Sequence, residues 1–321
     1  MSSLQLVLSF VLLLIVELMY FLLARKYSIV DHPNERTLHE RPTIRGGGVV
    51  FYFAVILYGI FTGWFELWFF VGLTLVSVIG LLDDVISLKS SIRFLVQVMA
   101  FGFLFYELNL WSLELWIVLL MWIVAVGTLN AYNFMDGVNG MTGGYSLVTM
   151  GSLIAVDQTR IDFVDDSFLW FIVMALVVFN FFNFRKKAIC FAGDVGSYSM
   201  AFIIIYLLLL LSIKSNNYIF ILFLALYGID TVLTILHRLL RKENIFKPHR
   251  FHLFQVLVSH YKLSHLQVSS IYLVVQLIVN VILMACLNQS HGAQYMIGMG
   301  ILFMLASLYS VLKGSRRFSR I

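Results

Sequence analysis

A chain of 321 residues with 61% hydrophobic residues, 12% charged residues and a mean hydropathy of +0.92 has too little polar surface for a water-soluble fold. Soluble domains carry charge on about a quarter of their residues, so the composition is that of a polytopic membrane protein. The net charge of +5 comes from Lys and Arg scattered through short loops, which reads as a topology signal and argues against a nucleic-acid-binding surface.

The first apolar run, Leu4 to Ala24, has no Lys or Arg before it and no small-residue cleavage site after it. It is too long for the core of a cleaved signal, so it is read as the first membrane helix. Further apolar runs follow at about 47–63, 65–82, 92–106, 111–129, 139–156, 168–183, 196–213, 217–237, 267–287 and 294–312. Each is near the ~20 residues that cross a bilayer. They predict an all-α, polytopic integral membrane protein of eleven transmembrane helices, with residues 1–321 forming one membrane domain.

Lys and Arg resist translocation and collect in short cytoplasmic loops. With the N-terminus outside and the C-terminus cytoplasmic, 20 of the 22 basic residues fall inside, and Arg160 and Lys214 remain outside. The same topology puts Cys190 near the inner face and Cys286 near the outer one, so no disulfide is expected.

Four polar clusters then share the cytoplasmic face: Asp83 with Asp84, the glycine-rich stretch Asn130 to Gly144, the turn Phe191 to Ser197, and the loop Pro248 to His252. Exposed backbone and side chains such as Asn130, Asn133, Asp136 and Asn139 are costly in hydrocarbon, so that stretch must lie at an interface or line a wet cavity. On the outer side, Asp157, Asp162, Asp165 and Asp166 lack neighbouring His, Asn or structured glycines, and a solvated loop accounts for them.

Carboxylates grouped with Asn, Arg and His suit a hard divalent cation and phosphate oxygens. Asp194 and Asp136 are the acidic candidates and Asn133 a neutral oxygen donor, although Asp194 could also serve only as a helix cap. Adjacent aspartates on a helix point about 100° apart, so of Asp83 and Asp84 one can face a site while the other is anchored elsewhere. Arg45, Arg93 and Arg250 offer forks for phosphate oxygens. The alternative for such residues is a positive-inside anchor.

The motifs run in the order of a known family. They are Asp31-His-Pro-Asn-Glu-Arg36 with His39, Pro42 and Arg45-Gly-Gly-Gly48; Leu82-Asp-Asp84 with Arg93 and Gln97; Asn130 to Gly140; Gly193-Asp-Val-Gly-Ser197; and Ile245-Phe-Lys-Pro-His-Arg-Phe-His-Leu253. Over nearly the whole chain the sequence resembles the polyprenyl-phosphate N-acetylhexosamine-1-phosphate transferases of glycosyltransferase family 4.

The resemblance implies transfer of a HexNAc-1-phosphate from a UDP-N-acetylhexosamine to polyprenyl (undecaprenyl) phosphate in the bacterial inner membrane, with release of UMP. It implies Mg2+, or Mn2+ in its place, held by Asn133 and Asp194 with Asp136 beside them. Phe191 matches an aromatic that stacks on uracil, Asn139 lines the uridine pocket and Asn130 is grouped with it. Asp83 is implied as a base or phosphate-organising carboxylate with Asp84 next to it, and His249, Arg250 and His252 meet the sugar and diphosphate.

Here the last motif ends His252-Leu-Phe-Gln255, without the denser histidine cluster of many relatives. It looks closer to the branch that initiates O-antigen or capsule repeats than to the peptidoglycan-precursor branch. The oligomeric state is left open, a homodimer included. A transporter of an anionic solute is the alternative class, with Glu17, Asp230 and His237 as its intramembrane ionisable residues.

Overall fold

The computed structural model describes residues 3–31, 42–63, 66–244 and 251–314. The eleven apolar runs become eleven long helical segments. These are α1 (Ser3–Lys26), α2 (Val49–Thr62), α3 (Leu67–Ile86), α4 (Ser90–Glu107), α5 (Leu115–Met135), α6 (Met141–Thr159), α7 (Asp166–Asn183), α8 (Gly193–Ser215), a 3-10 segment Tyr218–Leu224 running into α9 (Ala225–Leu240), α11 (His265–Ala285) and α12 (His291–Gly314). The short helix α10 (Leu253–Ser259) was not foreseen.

Among the described residues eight helices are long and apolar enough to cross a membrane. The other three, α2, α4 and α6, are shorter or more polar, and they pack within the same bundle. Polar side chains on them find partners on neighbouring helices, Tyr52 with Thr74 and Gln97 with Asn130, as a membrane interior favours.

Helix α8 is the buried axis. It is apolar on all sides, as expected of a helix surrounded by protein, and it packs most extensively on α3 and α5. Helices α1 and α12 are the least buried spans after insertion into the bundle, with Leu4, Val7, Phe303 and Val311 facing outward. Among the described residues one buried hydrophobic cluster runs through the bundle.

Helix ends depart from the apolar runs wherever a polar side chain finds a partner. Helix α3 continues to Ile86 and carries Asp83 and Asp84 in its last turns, α5 continues to Met135 and carries Asn130 and Asn133, and α8 starts at Gly193 so that Asp194 lies in its first turn. Hydropathy ends a run at the first polar residue, whereas the helix ends only where its hydrogen bonds do.

The segment before α2 is held to the segment before α8. Strand β1 (Val30–Asp31) pairs antiparallel with β2 (Thr43–Ile44), with Val30 opposite Ile44. Ile44 in turn accepts the Phe191 N–H at 2.8 Å, and Gly47 and Gly48 donate to the carbonyls of Phe191 and Ala192 at 2.8 and 3.1 Å. This fit needs glycine at the crossing, because a Cβ on Gly48 would lie 2.3 Å from the Gly196 Cα.

Candidate active site

Arg45, carried on that stapled segment, reaches two aspartates on two helices. Its Nε lies 2.6 Å from Asp84 Oδ1, and its Nη2 lies 3.2 Å from Asp194 Oδ1. Arg93, on the first turn of α4, makes the matching pair from the other side, with Nη1 2.7 Å from Asp83 Oδ2 and 3.2 Å from Asp194 Oδ2. Asn133 Nδ2 donates to Asp194 Oδ1 at 2.7 Å and to Ser197 Oγ at 3.1 Å. Six of the expected residues, Arg45, Asp83, Asp84, Arg93, Asn133 and Asp194, therefore form one ion-paired cluster.

The two aspartates of α3 do different work. Asp84 is buried and accepts the backbone N–H groups of Asp194 and Val195 at 2.9 and 3.1 Å, so it meets the unpaired amides that open α8 and complements that helix end. Asp83 accepts the Leu88 N–H at 2.5 Å and pairs with Arg93. Gly193, at φ +71°, permits the turn that aims these amides, and a Cβ there would lie 2.5 Å from Asp84 Oδ2.

Asp136, just past the end of α5, accepts the Thr142 hydroxyl at 2.7 Å and lies against the Gly193 amide. Burial raises its carboxyl to about 6 against the pull of the Thr142 hydrogen bond, with the charge of Asp194 adding to the rise. The donor set here is all oxygen: Asp83, Asp84, Asp136, Asp194 and the Asn133 amide. Four carboxylates face two guanidinium groups, so the cluster keeps an excess of negative charge. Among the described residues no three acidic, His or Cys side chains already stand together as a metal-ligand group; Arg45 and Arg93 occupy the carboxylates.

Phe191 is half-buried and is tied into the cluster through its backbone, three residues before Asp194. Asn139 lies on the far side of the Asp136 turn. Its Nδ2 donates to the carbonyls of Arg185 and Lys186 at 2.8 and 3.3 Å, and its Oδ1 is 3.3 Å from His265 Nδ1. Asn130 is not brought into the cluster; its Nδ2 donates to Gln97 Oε1 at 2.9 Å and to the Val126 carbonyl at 2.8 Å, linking α5 to α4.

His252 is not brought there either. It is 2% exposed, and its Nδ1 lies 3.4 Å from Asp230 Oδ1. His249 and Arg250 lie outside the described residues, as do His39, Arg36 and Arg41.

Several contributors escaped the sequence reading. Buried Asn183 accepts the Gly140 N–H at 2.7 Å and donates to the Cys190 carbonyl at 2.8 Å, so one side chain brackets the Asn139 turn and the Phe191 segment. Tyr20 donates its hydroxyl to the Arg45 carbonyl at 2.6 Å. Glu17, named from the sequence only for the transporter alternative, sits one turn earlier on α1 and lies 3.6 Å from Cys190 Sγ. The available signal was the spacing of Glu17 and Tyr20 on one face of an otherwise apolar helix. The other acidic residue of the transporter alternative, Asp230, is fully engaged in hydrogen bonds within the bundle.

Residues 67–212 match glycosyl transferase family 4. The chain is 28% identical over 278 residues to a probable undecaprenyl-phosphate N-acetylglucosaminyl 1-phosphate transferase of Bacillus subtilis, covering 78% of this chain and 76% of that protein. It is 26% identical over 267 residues to the undecaprenyl-phosphate alpha-N-acetylglucosaminyl 1-phosphate transferase of Escherichia coli K12, covering 73% and 70%. A shorter similarity, 32% over 188 residues, covers 48% of this chain and 57% of the phospho-N-acetylmuramoyl-pentapeptide-transferase of Enterococcus hirae. The chain is a multi-pass membrane protein, and the relatives it resembles are named as sugar-phosphate transferases. The similarity to glycosyl transferase family 4 lies in residues 67–212, the part of the chain from α3 to α8.

Proposed function

We propose that the protein transfers a HexNAc-1-phosphate from a UDP-sugar to polyprenyl (undecaprenyl) phosphate at the cytoplasmic side of the bacterial inner membrane. The product is a lipid-linked sugar diphosphate that begins a cell-envelope glycan such as O-antigen or capsule. The observation that carries this reading is the convergence of Arg45, Arg93, Asp83, Asp194 and Asn133 at one end of the bundle.

An oxygen of the polyprenyl phosphate attacks the β-phosphorus of the UDP-sugar. The bond from that phosphorus to the oxygen bridging the two phosphates breaks, and UMP leaves with that oxygen. Arg45 and Arg93 present guanidinium forks suited to the phosphate oxygens. Asp83 and Asp84 hold those forks in place, and Phe191 offers a face for uracil.

Magnesium fits the donor set, because hard divalent cations take carboxylate and amide oxygens and the cluster carries excess negative charge. Asp194, Asp136 and the Asn133 amide would hold it. When bound, it supplies neutralisation of charge developing on the diphosphate.

The test is UMP release by the purified protein from a panel of UDP-sugars with a short polyprenyl phosphate. Turnover with magnesium, loss in EDTA and loss in Asp194→Asn with the protein still folded support the reading. Undiminished turnover in EDTA removes the metal, and no UMP from any UDP-sugar removes the reaction.

A further inference from the structure

Asp230 lies on α9, is 1% exposed, and spends its carboxylate on the chain that enters α10. Oδ1 accepts the Leu253 N–H at 2.8 Å and the Thr234 hydroxyl at 3.3 Å, and it stands 3.4 Å from His252 Nδ1. Oδ2 accepts the Tyr272 hydroxyl at 2.7 Å and the Phe254 N–H at 3.4 Å. A buried carboxylate is costly unless its oxygens are met, and here every partner belongs to α9, α11 or the corner at 252–254. Thr234 extends the hold, since it lies 2.8 Å from the Tyr309 hydroxyl on α12 and also receives a hydrogen bond from Lys313.

The corner that Asp230 fixes presses on the Asn133–Asp136 turn. Phe254 is 0% exposed, and its ring lies 2.7 Å from where a Cβ on Gly137 would stand, directly after Asp136. The His252 ring stacks on Phe254 with centroids 5.8 Å apart and lies 6.1 Å from the ring of Phe134, directly after Asn133. The His252 and Phe254 rings thus bear on both ends of the segment that carries Asn133 and Asp136. Close-packed rings transmit a displacement because no void is available to absorb it.

We propose that Asp230 is a positioning residue: through His252 and Phe254 it sets the Asn133–Asp136 turn against Asp194. Its role in turnover rests on the function proposed above, whereas its hold on the turn does not. The same contacts account for the sequence departure at 253 and 254, where buried apolar residues serve the corner.

The experiment measures hydrogen–deuterium exchange and UMP release on the full chain in lipid nanodiscs, for wild type, Asp230→Asn, Phe254→Leu and the double variant. Asparagine keeps the shape and one acceptor oxygen while removing the charge that holds His252 and Tyr272. Amides at 134–140 should exchange about tenfold faster in each single variant, with those of 206–212 in α8 unchanged. The kcat should fall about tenfold in each, and Asp230→Asn should add less than about twofold in the Phe254→Leu background, since residues acting through one contact are not additive.

Unchanged exchange at 134–140 in both single variants overturns the proposal whatever happens to turnover, and so do fully multiplicative losses of kcat. If Asp230→Asn loosens the whole bundle, Phe254→Leu decides by the same local readout. Local acceleration in a protein that releases no UMP from any UDP-sugar keeps the positioning and removes the proposed reaction.

Discussion

The Asp84 carboxylate and the Asp194 backbone are joined by a 2.9 Å hydrogen bond across 110 residues of chain, so the last turn of α3 anchors the first turn of α8. Asp83, its immediate neighbour, instead pairs with Arg93. Asp84→Ala should therefore act on stability: it strips two α8 amides of their acceptor and leaves Arg45 without its nearer partner. The expected cost is about 2–4 kcal/mol, at or below the range for a buried pair because Arg45 is partly exposed. Asp83→Asn should leave the thermal unfolding midpoint within a few degrees and depress turnover. Equal midpoints for the two variants would contradict this division of labour.

Phe191 is held by its backbone, which leaves its side chain to be judged by substitution. If it stacks on uracil, Phe191→Ala should weaken UDP-sugar binding by about 1–3 kcal/mol, the range for a base on an aromatic ring. Phe191→Tyr and Phe191→Trp should retain most of the affinity. Isothermal titration with UDP measures this, and an alanine variant of wild-type affinity reduces Phe191 to packing.

Asp136 makes a pH-dependent prediction for the metal-free protein. Its folded pKa of about 6 lies above the ordinary carboxyl value of about 3.8, so the folded state binds this proton more tightly than the unfolded chain does. That contribution to stability is fully present below the unfolded value and is lost as pH rises through about 6. Asp136→Asn cannot suffer the loss. Its unfolding midpoint should match wild type near pH 4, exceed it at pH 7.5, and show the gap opening between. A gap independent of pH would show that the carboxyl is not held neutral by its surroundings.

The orientation of the bundle can be tested directly. The charge bias predicts that a reporter active only outside the cytoplasm stays silent when fused after Ile321 and is active when fused near Val164. Silence near Val164 and activity after Ile321 would invert the topology and put the Asp194 cluster on the other face.

The membrane class and the positions of the long helices were legible in the sequence, because hydropathy over about 20 residues is a local property that the bilayer reads directly. The resemblance marked Asp83, Asp84, Asn133 and Asp194 residue by residue. Which aspartate of the Asp83–Asp84 pair anchors and which pairs with Arg93 was decided by the packing of α3 on α8, since on a bare helix both orientations are open. Arg45 meets Asp194 across 149 residues only because Gly48 and Gly196 let two backbones cross. His252 and Asp230 looked, by sequence, like a sugar contact and an intramembrane charge on a transport path. The fold turned them toward each other, because the cost of burying a carboxylate is relieved only by donors that the tertiary structure brings to it.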